Sequence, residues 1–104
     1  MIIQINTDNN ITVHEKFEAE LNALISDKLS RFSKQLTRVE VHLSDENSHK
    51  EGSQDKRCLL EARMEGMAPI VVTEKQDTIM QAVNVALDTM KATLNSAKEK
   101  ARNY

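Results

Sequence analysis

Apolar residues recur every three or four positions through Val13, Phe17, Leu21, Leu24, Ile25, Leu29, Phe32 and Leu36, then every second position at Val39, Val41 and Leu43. The first spacing is one face of an α-helix and the second is one face of a β-strand. Each such element has a single greasy face that it cannot bury alone, so helix and sheet must share a core. A second helical stripe, Ile79, Val83, Ala86, Leu87, Met90, Leu94 and Ala97, predicts another long helix packed on that sheet.

The remaining segments supply strands and turns. Ile2, Ile3 and Ile5 form a β-branched opening run, followed by the turn cluster Thr7-Asp8-Asn9-Asn10. Thr12 and Glu15 have capping-box spacing, which predicts a first helix starting at Thr12 and ending near Leu36. Arg38 to Ser44 is a half-buried strand, with Arg38, Glu40, His42 and Ser44 facing away from the core. Asp45 to Asp55, with Gly52, is a loop. In the next strand Cys58, Leu60, Ala62 and Met64 alternate with Arg57, Leu59, Glu61 and Arg63. Glu65-Gly66-Met67 is a tight connection to a short strand, Ile70 to Thr73, with Pro69 where a missing N–H costs least. Asp77 or Thr78 caps the second helix.

The expected order is thus β-α-β-β-β-α, an α+β fold. It is one four-stranded sheet with two helices on one face, the last three strands forming an antiparallel meander. Residues 1–97 are expected to form a single domain and residues 98–104 a polar, fraying tail. With 104 residues, 39% hydrophobic content, two Gly and one Pro, the chain suits one core built from long regular elements. No apolar run approaches the roughly 20 residues that span a bilayer, and Met1 to Ile5 does not read as a secretory leader. Cys58 has no partner for an internal disulfide, which suits a reducing, cytoplasmic location.

Nothing in the chain predicts an enzyme, a cofactor or a small-molecule substrate. Gly-rich phosphate loops, C-x-x-C and H-E-x-x-H are absent. His14, His42 and His49, even with Cys58 or Asp45, lack the spacing of metal ligands. Cys58 shares a strand face with Leu60 and Ala62, so an inert buried thiol is expected. Glu15, Glu18 and Glu20 read as a solvated helix face, and Met80 and Met90 as core filler.

Charge is more informative in its placement than in its formal sum of −2. Asp8, Glu15, Glu18 and Glu20 precede Lys28, Arg31, Lys34 and Arg38, and Lys91, Lys98, Lys100 and Arg102 crowd the end of the second helix. One reading is complementation of the helix dipoles. The other is functional: if the helices lie side by side and parallel, Lys28, Arg31, Lys34, Lys91 and Lys98 merge into a patch that holds phosphates. The scarcity of aromatics, 3%, favours backbone and shape recognition over base stacking.

Several segments in this order resemble the ribosome hibernation-promoting factor family, which includes ribosome-associated inhibitors and is also called the sigma-factor modulation family. Lys28-Leu29-Ser30-Arg31-Phe32 resembles its K-L-x-R segment late in the first helix. Val39-Glu40-Val41-His42-Leu43-Ser44-Asp45 resembles its second strand. Asp77-Thr78-Ile79-Met80-Gln81-Ala82-Val83 resembles the start of its last helix, and Leu87 to Leu94 its D-K-L-x-x-Q-L segment. Asp45-Glu46-Asn47 and Asp55-Lys56-Arg57-Cys58 match one branch in particular. Thr89 stands where the family usually has Lys, and Ser96 falls in a segment that is usually more basic.

The resemblance covers nearly the whole chain and is to the short type. It implies a fold similar to a double-stranded-RNA-binding domain. It also implies a stress-response role, in which the protein binds ribosomal RNA phosphates in the messenger and transfer RNA channel of the small ribosomal subunit and inhibits translation. Carried over by position, Lys28, Arg31 and Lys91 are the leading RNA contacts, with Lys34, Arg38, Lys98 and Lys100 beside them. No membrane partner is expected, and a homodimer is possible. The alternative is a protein-interaction module of the same fold that has lost ribosomal RNA binding and uses the mixed-charge sheet face.

Overall fold

The computed structural model describes residues 1–8, 11, 13–46 and 55–102, with side chains through Glu99. Its order is β1 (Ile2–Thr7), α1 (Glu15–Lys28), a 3-10 turn (Ser30–Phe32), β2 (Leu36–Asp45), β3 (Lys56–Met64), β4 (Ile70–Gln76) and α2 (Ile79–Arg102). The expected β-α-β-β-β-α order and α+β class are those observed.

The sheet order is β1-β2-β3-β4. Strands β2, β3 and β4 form the antiparallel meander, whereas β1 pairs parallel with β2. Parallel neighbours need a crossover, and α1 supplies it. The register aligns the inward residues into rows: Ile3, Val39, Ala62 and Ile70 form one, and Ile5, Val41, Leu60 and Val72 the next. Onto these rows pack Leu21 and Ile25 of α1 and Val83, Ala86, Leu87, Met90 and Leu94 of α2, all fully buried. Both stripes thus serve one core, and Cys58 lies inside it with no exposed surface.

Three boundaries differ from expectation. Helix α1 begins at Glu15, with His14 as its N-cap and no side-chain capping bond; Thr12 lies outside the described residues. It ends at Lys28, not near Leu36, and the periodic residues Leu29 and Phe32 continue through the 3-10 turn. Both conformations bring positions three apart to one face, so the apolar spacing does not distinguish them. Leu36 opens β2 instead of closing a helix. Strand β4 runs on to Gln76, because Glu74 and Lys75 still pair with Cys58 and Arg57.

Helix α2 continues to Arg102; Asn103 and Tyr104 lie outside the described residues. Thr78 is the capping residue of α2. Its hydroxyl accepts from the Gln81 N–H at 3.1 Å while the Gln81 amide oxygen accepts from the Thr78 N–H at 3.2 Å, which is a reciprocal capping box.

Candidate nucleic-acid interface

Both helices run antiparallel to β2, so their C-terminal ends share one end of the sheet. Two observations fix this arrangement. Lys28, the last residue of α1, forms an ion pair with Asp88 in the middle of α2 at 2.9 Å. Beyond it, Phe32 and Gln35 line a common cleft with Ala97 and Lys98 of α2.

Lys28, Lys91 and Lys98 therefore follow the α2 side of this arrangement, and Arg31 and Lys34 lie in the segment that continues α1. Lys91 lies one turn beyond Asp88, and positions three apart on a helix are neighbours. Lys98 lies two turns further on, at the cleft. Arg31 is exposed, and its guanidinium carbon sits 6.0 Å from the Phe32 ring centroid. Lys34 is exposed in the turn that leads into β2. Among the described residues Arg31, Lys34, Lys91 and Lys98 have no ion-pair partner, while Lys28 is neutralised by Asp88. The acids Glu15, Glu18 and Glu20 are exposed near the opposite end of α1. A chain of net charge −2 thus gathers these cations towards one end of the sheet, where Glu65 and Glu99 are acids among them.

Arg38 does not join this group. It alternates with buried Val39 and so projects from the other face of the sheet, where it hydrogen-bonds Gln4 and pairs with Glu40 at 3.5 Å. That face carries the expected mixture of charges. Arg38 opposes Arg63 across β2 and β3, and Glu40 opposes Glu61. These like-charge neighbours are reconciled because Arg63 pairs with both Glu40, at 3.5 Å, and Glu61, at 3.2 Å. Lys100 belongs to the last turns of α2, and its side chain lies outside the described residues.

Two features escape sequence reasoning. Asp88 is 60 residues from its partner Lys28, and no local spacing links them. The cleft combines Phe32, Gln35, Met64, Glu65, Met67, Ala97 and Lys98 from three parts of the chain. The Thr89 hydroxyl donates to Glu74 Oε1 at 3.3 Å, so this position faces β4 and not the helix seam.

Burial pushes the Cys58 thiol up to about 12, with Glu74 adding to the rise and Arg57 opposing it, which leaves it neutral and unreactive. His42 is exposed on the open sheet face and His14 at the start of α1, while His49 lies outside the described residues. Among the described residues no group of three His, Cys, Asp or Glu could hold a metal ion, and no helix is long and apolar enough to cross a membrane.

Comparison with known proteins follows the same lines. The family model described as Sigma 54 modulation protein / S30EA ribosomal protein matches residues 3–102. Among solved structures the chain is similar to the N-terminal domain of Protein Y from Thermus thermophilus, with 17% identity, TM-score 0.69, and coverage of 89% of this chain and 94% of that one. It is likewise similar to a ribosomal subunit interface protein from Coxiella burnetii, with 15% identity, TM-score 0.72, and coverage of 95% and 99%. These likenesses are of fold. No curated protein matches the chain.

Proposed function

The chain belongs to the Sigma 54 modulation protein / S30EA ribosomal protein family, and from that premise we propose that it is a cytoplasmic, non-enzymatic ribosome hibernation factor. It binds the small ribosomal subunit in the channel used by messenger and transfer RNA and silences translation by occupying it. Binding is through ribosomal RNA phosphates. The observation that carries this reading is the convergence of Lys28, Arg31, Lys34, Lys91 and Lys98 at one end of an otherwise acidic molecule, four of them without an ion-pair partner among the described residues.

The geometry suits phosphates spaced along a backbone. The cations are spread along a seam longer than one ion, and long Lys and Arg stems let each reach its own phosphate. Local field, not net charge, governs such contacts. Arg38 is a secondary contact at most, because it sits on the opposite sheet face in an ion pair.

The test is co-sedimentation with purified small ribosomal subunits at low and raised salt. Each duplex phosphate neutralised contributes a slope of roughly −0.9 to the log–log salt dependence, so binding through these cations should fade steeply. Arg31→Glu with Lys34→Glu, both exposed and outside any described ion pair, should abolish pelleting and leave the fold intact.

A second reading is supported by the neutralisation of Lys28 and by Thr89 at a position where the family usually has Lys. It makes the chain a protein-interaction module, homodimeric or otherwise, that uses the open sheet face with its exposed Ile2 and Val71. Pelleting that survives the double reversal, or fails even at low salt, would favour that module.

A further inference from the structure

We infer that the free edge of β1 pairs with β1 of a second copy of this chain, antiparallel about a two-fold axis through Gln4, joining the two sheets into one. The inference is independent of the RNA-binding reading above.

The two edges of the sheet are built differently. β4 carries Glu74 and Lys75 and follows Pro69, and charge and proline guard an edge against pairing with another chain. β1 reads Ile-Ile-Gln-Ile-Asn-Thr, with no charge, Pro or Gly. A β-rich segment without these guards is suited to strand addition.

The ladder shows which backbone groups stand at that edge. The Asp8 N–H donates to the Leu43 carbonyl of β2 at 3.1 Å. Backbone direction alternates along a strand, so Gln4 and Asn6 also bond towards β2, while the N–H and C=O groups of Ile3 and Ile5 point away from it. The same two residues are incompletely covered. Val39, Ala62, Val41 and Leu60, in their rows, are fully buried, whereas Ile3 and Ile5 are half-buried.

A second β1 meets both needs. With the axis through Gln4, Ile3 opposes the partner's Ile5 and Ile5 opposes the partner's Ile3. Each is a hydrogen-bonded pair with β-branched side chains on the core face. An axis through Ile5 instead gives one such pair and sets Ile3 against the partner's Thr7. An axis between two residues would put core-facing side chains opposite solvent-facing ones.

The helices leave room for this pairing. α2 packs over β3 and β4 and against α1. Packed helix axes lie roughly 8–10 Å apart, or two strand spacings, so α1 sits above the boundary of β1 and β2. The two-fold then sets the two α1 helices about 10 Å apart, an ordinary packing distance. They run antiparallel, which keeps the acidic starts of the two helices, Glu15 and Glu18, away from each other.

The experiment uses the full chain and two cysteine variants. Position 4 faces itself across the axis in a pair without hydrogen bonds, with Cα atoms about 4.5 Å apart, which is within disulfide reach. Gln4→Cys should therefore link two chains under oxidised glutathione. Position 2 lies about 13 Å along the strand from its own copy, so Ile2→Cys should stay unlinked; Cys58 is buried in both. Sedimentation of the unaltered chain should shift from one chain to two as concentration rises, with slowed amide exchange at Ile3 and Ile5. Ile2→Lys with Asn6→Lys sets like charges opposite each other across the axis and should abolish that shift, and Ile2→Glu with Asn6→Lys should restore it. A single-chain mass at every concentration with both cysteine variants unlinked would overturn the inference, as would equal linking of the two. Protection of Ile3 and Ile5 that appears only with added small ribosomal subunits would overturn it in favour of a strand from another protein.

Discussion

Lys28 Nζ lies 2.9 Å from Asp88 Oδ1, tying the last residue of α1 to the middle of α2. This contact bridges the helix seam and offsets the charge of Lys28. Both side chains keep water contact, at 26% and 66% exposure, so the pair adds at most about 1 kcal/mol to stability. Asp88→Asn should therefore shift thermal unfolding only slightly while tightening binding to small ribosomal subunits a few-fold, with a steeper salt dependence. Unchanged or weaker pelleting would show that Asp88 serves to position Lys28 and does not restrain the cations.

The two helix starts should respond differently to substitution. Thr78 caps α2 with a hydrogen bond at 3.1 Å that Gln81 reciprocates, whereas His14 makes no side-chain capping bond to α1. Thr78→Ala should cost about 1 kcal/mol, or roughly 4–8 °C in melting temperature for a domain of this size. His14→Ala should be close to neutral. Calorimetry on the two variants compares them directly.

Leu60 is fully buried between Val41 and Val72 on the inner face of the sheet. Leu60→Ala removes packed methyl groups from a site hemmed in on both sides by strands, so it should cost about 2–5 kcal/mol. That is a large share of the roughly 5–15 kcal/mol typical of a whole domain. Urea unfolding should show a lower midpoint with an unchanged slope. Leu59, half-buried on the open face next to Leu60, should tolerate the same change far better.

Cys58 gives the fold a pH limit. Burial raises its thiol from 9.0 to about 12. Above pH 9.0 the unfolded chain releases this proton and the folded chain keeps it, so the folded state binds more protons and stability falls as pH rises towards about 12. Lys56 adds to the same trend. Hydrogen bonds that its ammonium donates to Asp45 and then to Asp55 raise its pKa above 10.5, so the folded chain holds that proton longer as well. Stability measured from neutral to alkaline pH should decline more gently in Cys58→Ala than in the unaltered protein. A thiol reagent at pH 8 should modify Cys58 only after denaturant is added.

How far the sequence can be read follows from the range of the forces involved. Apolar periodicity is local. It made the stripes of α1 and α2 legible, along with the alternation that puts Val39, Val41 and Leu43 inside and Arg38, Glu40 and His42 outside. Element order and fold class follow from that pattern, because helix and sheet faces of this kind bury one another. The run Lys28, Arg31, Lys34 and Arg38 was legible too, because residues 28–38 hold no acid.

Local spacing could not decide the end of α1, since α and 3-10 turns serve Leu29 and Phe32 equally well. It could not place Arg38, whose neighbours in sequence are Arg31 and Lys34 but whose strand parity sends it to the other side of the sheet. Nor could it find Asp88 as the partner of Lys28, or the cleft shared by Phe32, Met64, Met67 and Lys98. Those relationships join positions far apart in the chain. They exist only once the parallel β1–β2 crossover and the packing of two helices on one sheet have brought the ends of α1 and α2 together.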